Sequence, residues 1–181
     1  MAGLVKEKES VSKAENDTNT PMQICFVCTG NTCRSPMAAA VTNAMTEAER
    51  ATLPELLRGC VSPRLVAVSR GLYANAGEPI SPLAVYALEA AEIAVVSKCD
   101  YHQHTAHTLS VEEAEQYDLL IGMTSAHAME LMLRYPQFAS KITSMPQEIS
   151  DPYGGDITVY QECLSEIIQG VRQLFFKEAL E

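Results

Sequence analysis

Long hydrophobic runs are missing from this 181-residue chain. A membrane-spanning helix needs about 20 consecutive apolar residues, and no stretch approaches that, so no membrane partner is expected. The N-terminal residues show no basic segment leading into an apolar one, so no secretory signal is read there and a cytoplasmic location is expected. Positive charge is scarce: 13 Lys and Arg stand against 23 Asp and Glu, a formal net charge of −10. That balance argues against broad nucleic-acid binding, and no nucleic-acid partner is expected. It does not exclude a phosphate ligand, because a few oriented donors set the local field of a binding loop. There is no internal repeat, and the length suits one domain with a sizeable core.

Cysteine is not scarce. Cys25, Cys28, Cys33, Cys60, Cys99 and Cys163 make an even count, but nothing suggests secretion, so a disulfide framework is not expected. Cys25-Phe26-Val27-Cys28 has the spacing of a redox pair. In an extended strand, residues three apart face opposite sides, which places Cys25 in sheet packing instead. His102, His104 and His107 invite a metal reading, yet only Cys99 and Asp100 stand near them as further ligands. No metal and no cofactor is expected, and the segment reads as polar chain lying near the first loop. His127 reads as a surface position on a helix.

The run Cys28-Thr29-Gly30-Asn31-Thr32-Cys33-Arg34-Ser35-Pro36 carries the chemistry. It stands where the apolar strand Ile24 to Val27 gives way to a helix. Backbone N–H groups of such a loop converge on an anion, and the helix N-terminus adds to their field. Gly30 permits a tight or left-handed backbone and leaves its amide uncovered. Asn31 tolerates positive φ and can tie the loop together. Arg34 offers a planar two-pronged donor for phosphate oxygens. Ser35 can hydrogen-bond a thiolate and later ease its departure. Pro36 suits a first helical turn, where its missing N–H costs nothing. The thiolate is the nucleophilic form of cysteine, so a phosphate held over Cys28 is the starting arrangement of a cysteine phosphatase.

The run, continued by Met37, resembles the signature of the low-molecular-weight protein phosphatases. Their second signature, an Asp-Pro pair followed by an aromatic residue, stands here as Asp151-Pro152-Tyr153-Gly154-Gly155. The resemblance covers roughly Met22 to the C-terminus. It implies Cys28 as nucleophile, Arg34 as phosphate binder and Asp151 as general acid. It also implies that Thr29, Gly30, Asn31, Thr32, Cys33, Arg34, Ser35 and Tyr153 line the substrate and phosphate site. A carboxylic acid over the nucleophile protonates the leaving group and later activates water. Cys33 lies in the same loop as Cys28 and reads either as a reversible disulfide partner or as a packed thiol.

Within the family, the residue before the second loop cysteine is typically a bulky aliphatic in the tyrosine-directed branch. Here it is Thr32, as in the branch that resembles bacterial protein arginine phosphatases. Tyr153 followed by two glycines, Met123-Thr124, and Ile157-Thr158-Val159-Tyr160 also look like that branch. Phosphoarginine in proteins is the expected substrate, with phosphotyrosine the alternative. A thioredoxin-coupled arsenate reductase would need a cysteine pair where Met123-Thr124-Ser125-Ala126 stands. A non-catalytic phosphate-binding module would be expected to lose the nucleophile or the acid, and both are kept. Partners are therefore phosphorylated protein substrates, with the chain itself a monomer or weak dimer. Two departures stand out: Arg70 between Ser69 and Gly71, where the family has a small residue, and a longer stretch from Ala51 to Pro63.

The organisation alternates strand and helix. Residues 1–21 are polar and charged and read as a disordered tail, with residues 22–181 as the phosphatase domain. Strands are expected at Gln23 to Cys28, Leu65 to Ser69, Asp118 to Gly122 and Lys141 to Thr143. Helices are expected from Pro36 to about Arg50, from Ser81-Pro82 to about Ala94, from a Ser110/Glu113 capping box, from a Thr124 cap to about Tyr135, and from Ile157 to about Ala179. The fold class is α/β: a single three-layer domain with a central four-stranded parallel sheet flanked by helices, flavodoxin-like, in strand order 2-1-3-4. Ligands of such sheets bind beyond the carboxyl ends of the strands, where Cys28 lies.

Overall fold

The computed structural model describes residues 20–52, 64–96 and 99–176. The expected tail before Thr20, the insertion over 53–63 and Cys60 lie outside the described residues. Strands β1 (Met22–Cys28), β2 (Leu65–Gly71), β3 (Leu119–Gly122) and β4 (Ile142–Ser144) form one sheet in the order β2-β1-β3-β4. All neighbouring pairs are parallel. Helices α1 (Arg34–Thr52), α2 (Pro82–Ala90), α3 (Val111–Gln116), α4 (Ser125–Arg134) and α5 (Ile157–Phe175) cover both faces.

The alternation along β1 shows why. Ile24, Phe26 and Cys28 face one core with side chains from α1, α2 and α5, while Cys25 and Val27 face the other with Leu131 of α4 and Ala114 of α3. A central parallel strand is buried on both sides, so its sequence is continuously apolar. Cys25 thus lies across the sheet from Cys28, and burial pushes its thiol up, which fits packing and not a redox pair.

Register fixes where the site must be. Cys28 pairs with Gly71 and Val27 with Gly122, so β1, β2 and β3 end together and their exit loops share one edge. Gly71 is dictated by that crowding: a Cβ there would stand 2.8 Å from Thr29 O and 2.9 Å from Ala74 Cβ. The loop of Cys28 therefore lies directly against the exit of β2.

Helix starts follow local chemistry. Ser110 and Glu113 form a reciprocal capping box, Thr124 caps α4, and Asp156 accepts from Thr158 N and Val159 N at the head of α5. α2 stops at Ala90, short of the expected Ala94. Glu92 turns left-handed (φ 54), and Ile93 N donates back to Leu88 O (3.0 Å), which returns the Ile93 side chain to the core. Ser81 does not cap α2 with its side chain; its hydroxyl donates to Tyr160 Oη instead (3.0 Å). α5 ends at Phe175, and the expected continuation beyond residue 176 lies outside the described residues.

Candidate active site

The Cys28 loop is held from within by Asn31, which is fully buried and left-handed (φ 59). The left-handed position of the loop is therefore Asn31 and not Gly30; asparagine tolerates it because its short amide bonds locally. Both amide hydrogens are used: Asn31 Nδ2 donates to Ser35 Oγ (3.0 Å) and to Ser69 Oγ (2.9 Å). Its side-chain oxygen accepts from His107 N (3.0 Å), and its backbone carbonyl is 2.8 Å from His104 Nε2. Burial lowers the His104 pKa, and its N–H to that carbonyl opposes the effect only in part. The histidine segment accordingly lies against the first loop, as its polarity suggests. His102 points elsewhere, to Asp100 and Glu89.

Donors converge on the Cys28 sulfur. Asn31 N donates to it (3.3 Å), and Ser35 Oγ lies 3.1 Å away. Ser35 already accepts from Asn31, so its single hydroxyl proton is left for the sulfur or for Arg70 O (3.3 Å). Arg34 is buried; Nη1 reaches Ile149 O (3.5 Å) and Nη2 makes a 2.8 Å ion pair with Asp151. The two signatures, 117 residues apart in sequence, thus meet through one hydrogen bond. Asp151 and Tyr153 belong to the rim, with the Asp151 side chain 55% and Tyr153 82% exposed. Thr29 to Arg34, Cys28, Asp151 and Tyr153 line one cavity of about 300 Å³, and Asn75 and Glu78 complete its wall.

Cys33 packs against α5. Its Sγ is 3.3 Å from Tyr160 Oη; burial, then the Cys33 contact, pushes the Tyr160 phenol up to about 12. Thr32 Oγ1 lies 3.6 Å from Cys33 Sγ, and Thr32 O accepts from Ser81 N (2.8 Å). Arg70, the departure from the family pattern, turns to Glu113 (2.7 Å) and away from the Cys28 cavity.

His127 is not a surface residue. Only 8% exposed, it sits between Thr29 Oγ1 (Nε2, 3.0 Å) and Thr124 Oγ1 (Nδ1, 2.7 Å). Thr124 Oγ1 also accepts from His127 N, so its own proton is free for Nδ1, which leaves Nε2–H to donate to Thr29. Burial and the nearby Arg34 cation both lower the His127 pKa, which favours the neutral ring. Sequence reasoning missed this contact, together with Ser69, Asn75 and Glu78. The signal for His127 was slight: a polar side chain three residues after a capping threonine, on the helix following a strand that ends at the site.

The arrangement can hold a tetrahedral anion over a sulfur nucleophile, with a carboxyl group on the open side where a leaving group would depart. The model of the low molecular weight phosphotyrosine protein phosphatase family matches residues 23–181. A protein-arginine-phosphatase of Bacillus subtilis (strain 168) is 32% identical over 160 residues, covering 84% of this chain and 94% of the relative. A low molecular weight protein tyrosine phosphatase from T. tengcongensis superposes with a TM-score of 0.71 at 31% identity, over 84% of this chain and 97% of that one. The YwlE arginine phosphatase, as a cysteine-to-serine mutant with a phosphorylated active-site serine, superposes with a TM-score of 0.70 at 28% identity, over 84% and 93%. The expected strand order and the resemblance read from the two signatures agree with these matches, and the chain belongs to the low molecular weight phosphotyrosine protein phosphatase family.

Proposed function

We propose that this protein is a cysteine-dependent protein phosphatase that works through a phosphocysteine intermediate and takes phosphoarginine in proteins as its substrate. The observation that carries the reading is the convergence on Cys28 Sγ of Asn31 N–H and the Ser35 hydroxyl in a cavity also lined by buried Arg34 and its ion-pair partner Asp151. That geometry supports attack on phosphorus by the Cys28 thiolate while loop amides and Arg34 hold the phosphoryl oxygens. An S–P bond forms as the P–N bond breaks, and Asp151 delivers its proton to the departing guanidino nitrogen. Water then attacks phosphorus, gives a proton to Asp151, and displaces the sulfur, whose returning charge Ser35 and Asn31 receive. No step calls for a metal or cofactor.

Support for the arginine assignment comes from Thr32, whose hydroxyl can contact a guanidinium or orient the hydrolytic water, and from the likeness to the Bacillus protein-arginine-phosphatase. The second reading is phosphotyrosine, favoured by exposed Tyr153, a ring on which a substrate ring could stack. Residues 22–181 would form the catalytic domain, acting in the cytoplasm as a monomer or weak dimer on phosphorylated proteins. Cys33 would serve as a disulfide partner of Cys28, after giving up its contact with Tyr160.

The deciding experiment is turnover of phosphoarginine and phosphotyrosine side by side, with wild type and Thr32→Ile, and Cys28→Ser as the inactive reference. A wild-type preference for phosphoarginine that moves towards phosphotyrosine in Thr32→Ile supports the assignment. A wild-type preference for phosphotyrosine leaves a phosphatase and overturns the arginine reading.

A further inference from the structure

The wall of the Cys28 cavity carries an acidic residue that neither signature contains. Glu78 lines the same 300 Å³ space as Cys28, Arg34, Asp151 and Tyr153. It is exposed, and among the described residues it makes no ion pair. Its place is nevertheless fixed. Gly77 (φ 83) turns the chain, Gly77 N donates to Ala106 O (2.9 Å), and Ala106 N donates to Glu78 O (2.8 Å). The side chain accepts from Asn75 Nδ2 (3.4 Å). The segment that stitches this turn also holds Asn31, through His104 and His107. Phosphate loop and carboxylate are therefore attached to the same short piece of chain.

We propose that Glu78 is a specificity-determining residue that favours a cationic leaving group, and so phosphoarginine over aryl phosphates. The inference rests on the phosphatase reading and its arginine assignment. The phosphoryl charge is met by the loop amides and Arg34, so the leaving group at the mouth faces Asp151 and Glu78. The phosphorylated guanidino group is already a cation when bound; as the P–N bond breaks, the proton from Asp151 goes to the departing nitrogen and the group leaves as a guanidinium. A nearby fixed carboxylate attracts that cation in the bound substrate and in the transition state alike, which raises kcat/KM chiefly by lowering KM. A phenol leaves neutral and gains nothing from the same carboxylate. The proton of the acid is spent in the chemistry, whereas Glu78 takes no part in proton transfer and acts on the whole leaving group.

The test measures kcat/KM of wild type, Glu78→Gln and Glu78→Lys on phosphoarginine and on p-nitrophenyl phosphate. Exposed charge pairs are weak, so Glu78→Gln should lose about threefold on phosphoarginine and the charge reversal about tenfold. Turnover of p-nitrophenyl phosphate should stay within about twofold in both variants, which also reports intact folding. The phosphoarginine deficit should shrink as salt is raised. Equal losses on both substrates, or an unchanged ratio in Glu78→Lys while wild type hydrolyses phosphoarginine, would overturn the role of Glu78 and leave the arginine assignment standing. Wild type that turns over p-nitrophenyl phosphate and not phosphoarginine would overturn that assignment, and this inference with it.

Discussion

The floor and the rim of the Cys28 cavity are built on different principles. On the floor, Asn31, Arg34 and Ser35 are buried, and Asn31 alone engages Ser35, Ser69, His104 and His107. At the rim, Asp151 and Tyr153 are largely exposed, and Tyr153 is anchored through its backbone N to Asp151 Oδ1 (3.3 Å). Grip on the phosphoryl group is thus a property of the folded interior, whereas discrimination among leaving groups is entrusted to surface side chains. Substitutions on the floor should cost stability and turnover together; substitutions at the rim should separate them.

The sharpest way to break that contrast is Asn31→Ala. It removes the left-handed amide and strands buried partners, so stability should fall by on the order of 3 kcal/mol in denaturant titration. A misplaced loop of this kind should cost about a hundredfold or more in kcat/KM on any substrate. A variant as stable and active as wild type would show that the floor is held by its backbone alone.

Asp151→Asn probes the rim. Its proton transfer contributes about a hundred- to ten-thousandfold to the rate, and that should be lost. The partly exposed ion pair to Arg34 contributes under about 1 kcal/mol, so the unfolding midpoint should hardly move. Because Arg34 Nη2 then loses its charged partner, inorganic phosphate should inhibit the variant at lower concentration than wild type. Weaker inhibition would mean that Asp151 aids anion binding instead of competing for the guanidinium.

His127 sits on the boundary and gives the smallest effect. His127→Ala should lower kcat/KM about three- to tenfold by freeing Thr29, with His127→Gln recovering part of the loss. Equal loss in both variants would point to the ring's volume and not to its hydrogen bonds. The ring also makes stability depend on pH. A folded pKa held below the ordinary histidine value means that the unfolded chain binds more protons near that value. Stability should therefore be complete above about pH 6.5 and decline as the medium is acidified, less steeply in His127→Gln. His104 shares this sign, while exposed His102, raised by Glu89 and Asp100, has the opposite one.

The floor was legible in the sequence because its chemistry is contiguous. A strand, a glycine, an asparagine, an arginine and a serine in one run leave little choice of geometry. The sheet was legible because continuous apolar strands alternate with capped helices. His127 was misjudged because its solvent exposure depends on how α4 docks against the Cys28 loop, which no local pattern encodes. Arg70 was ambiguous for the same reason: its partner Glu113 lies 43 residues away. Glu78 was invisible because a turn acquires meaning only when the 104–107 segment fixes it beside the cavity. Helix ends erred where half-buried Ile93, packing against the core, drew the chain out of its periodicity.

Asn31 has one more consequence, for the order in which the molecule matures. Its partners lie 38, 73 and 76 positions away, Thr29 waits for a residue 98 positions on, and Cys33 for one 127 positions on. Contacts of such long range form late, because the chain must close large loops before they stabilise anything. During synthesis, Cys28 emerges early, and the contacts that hold its loop are complete only when α5 supplies Tyr160 to Cys33. Competence to bind phosphate is then a report that the whole domain has folded, and a chain truncated before Tyr160 would carry the complete loop sequence without the site.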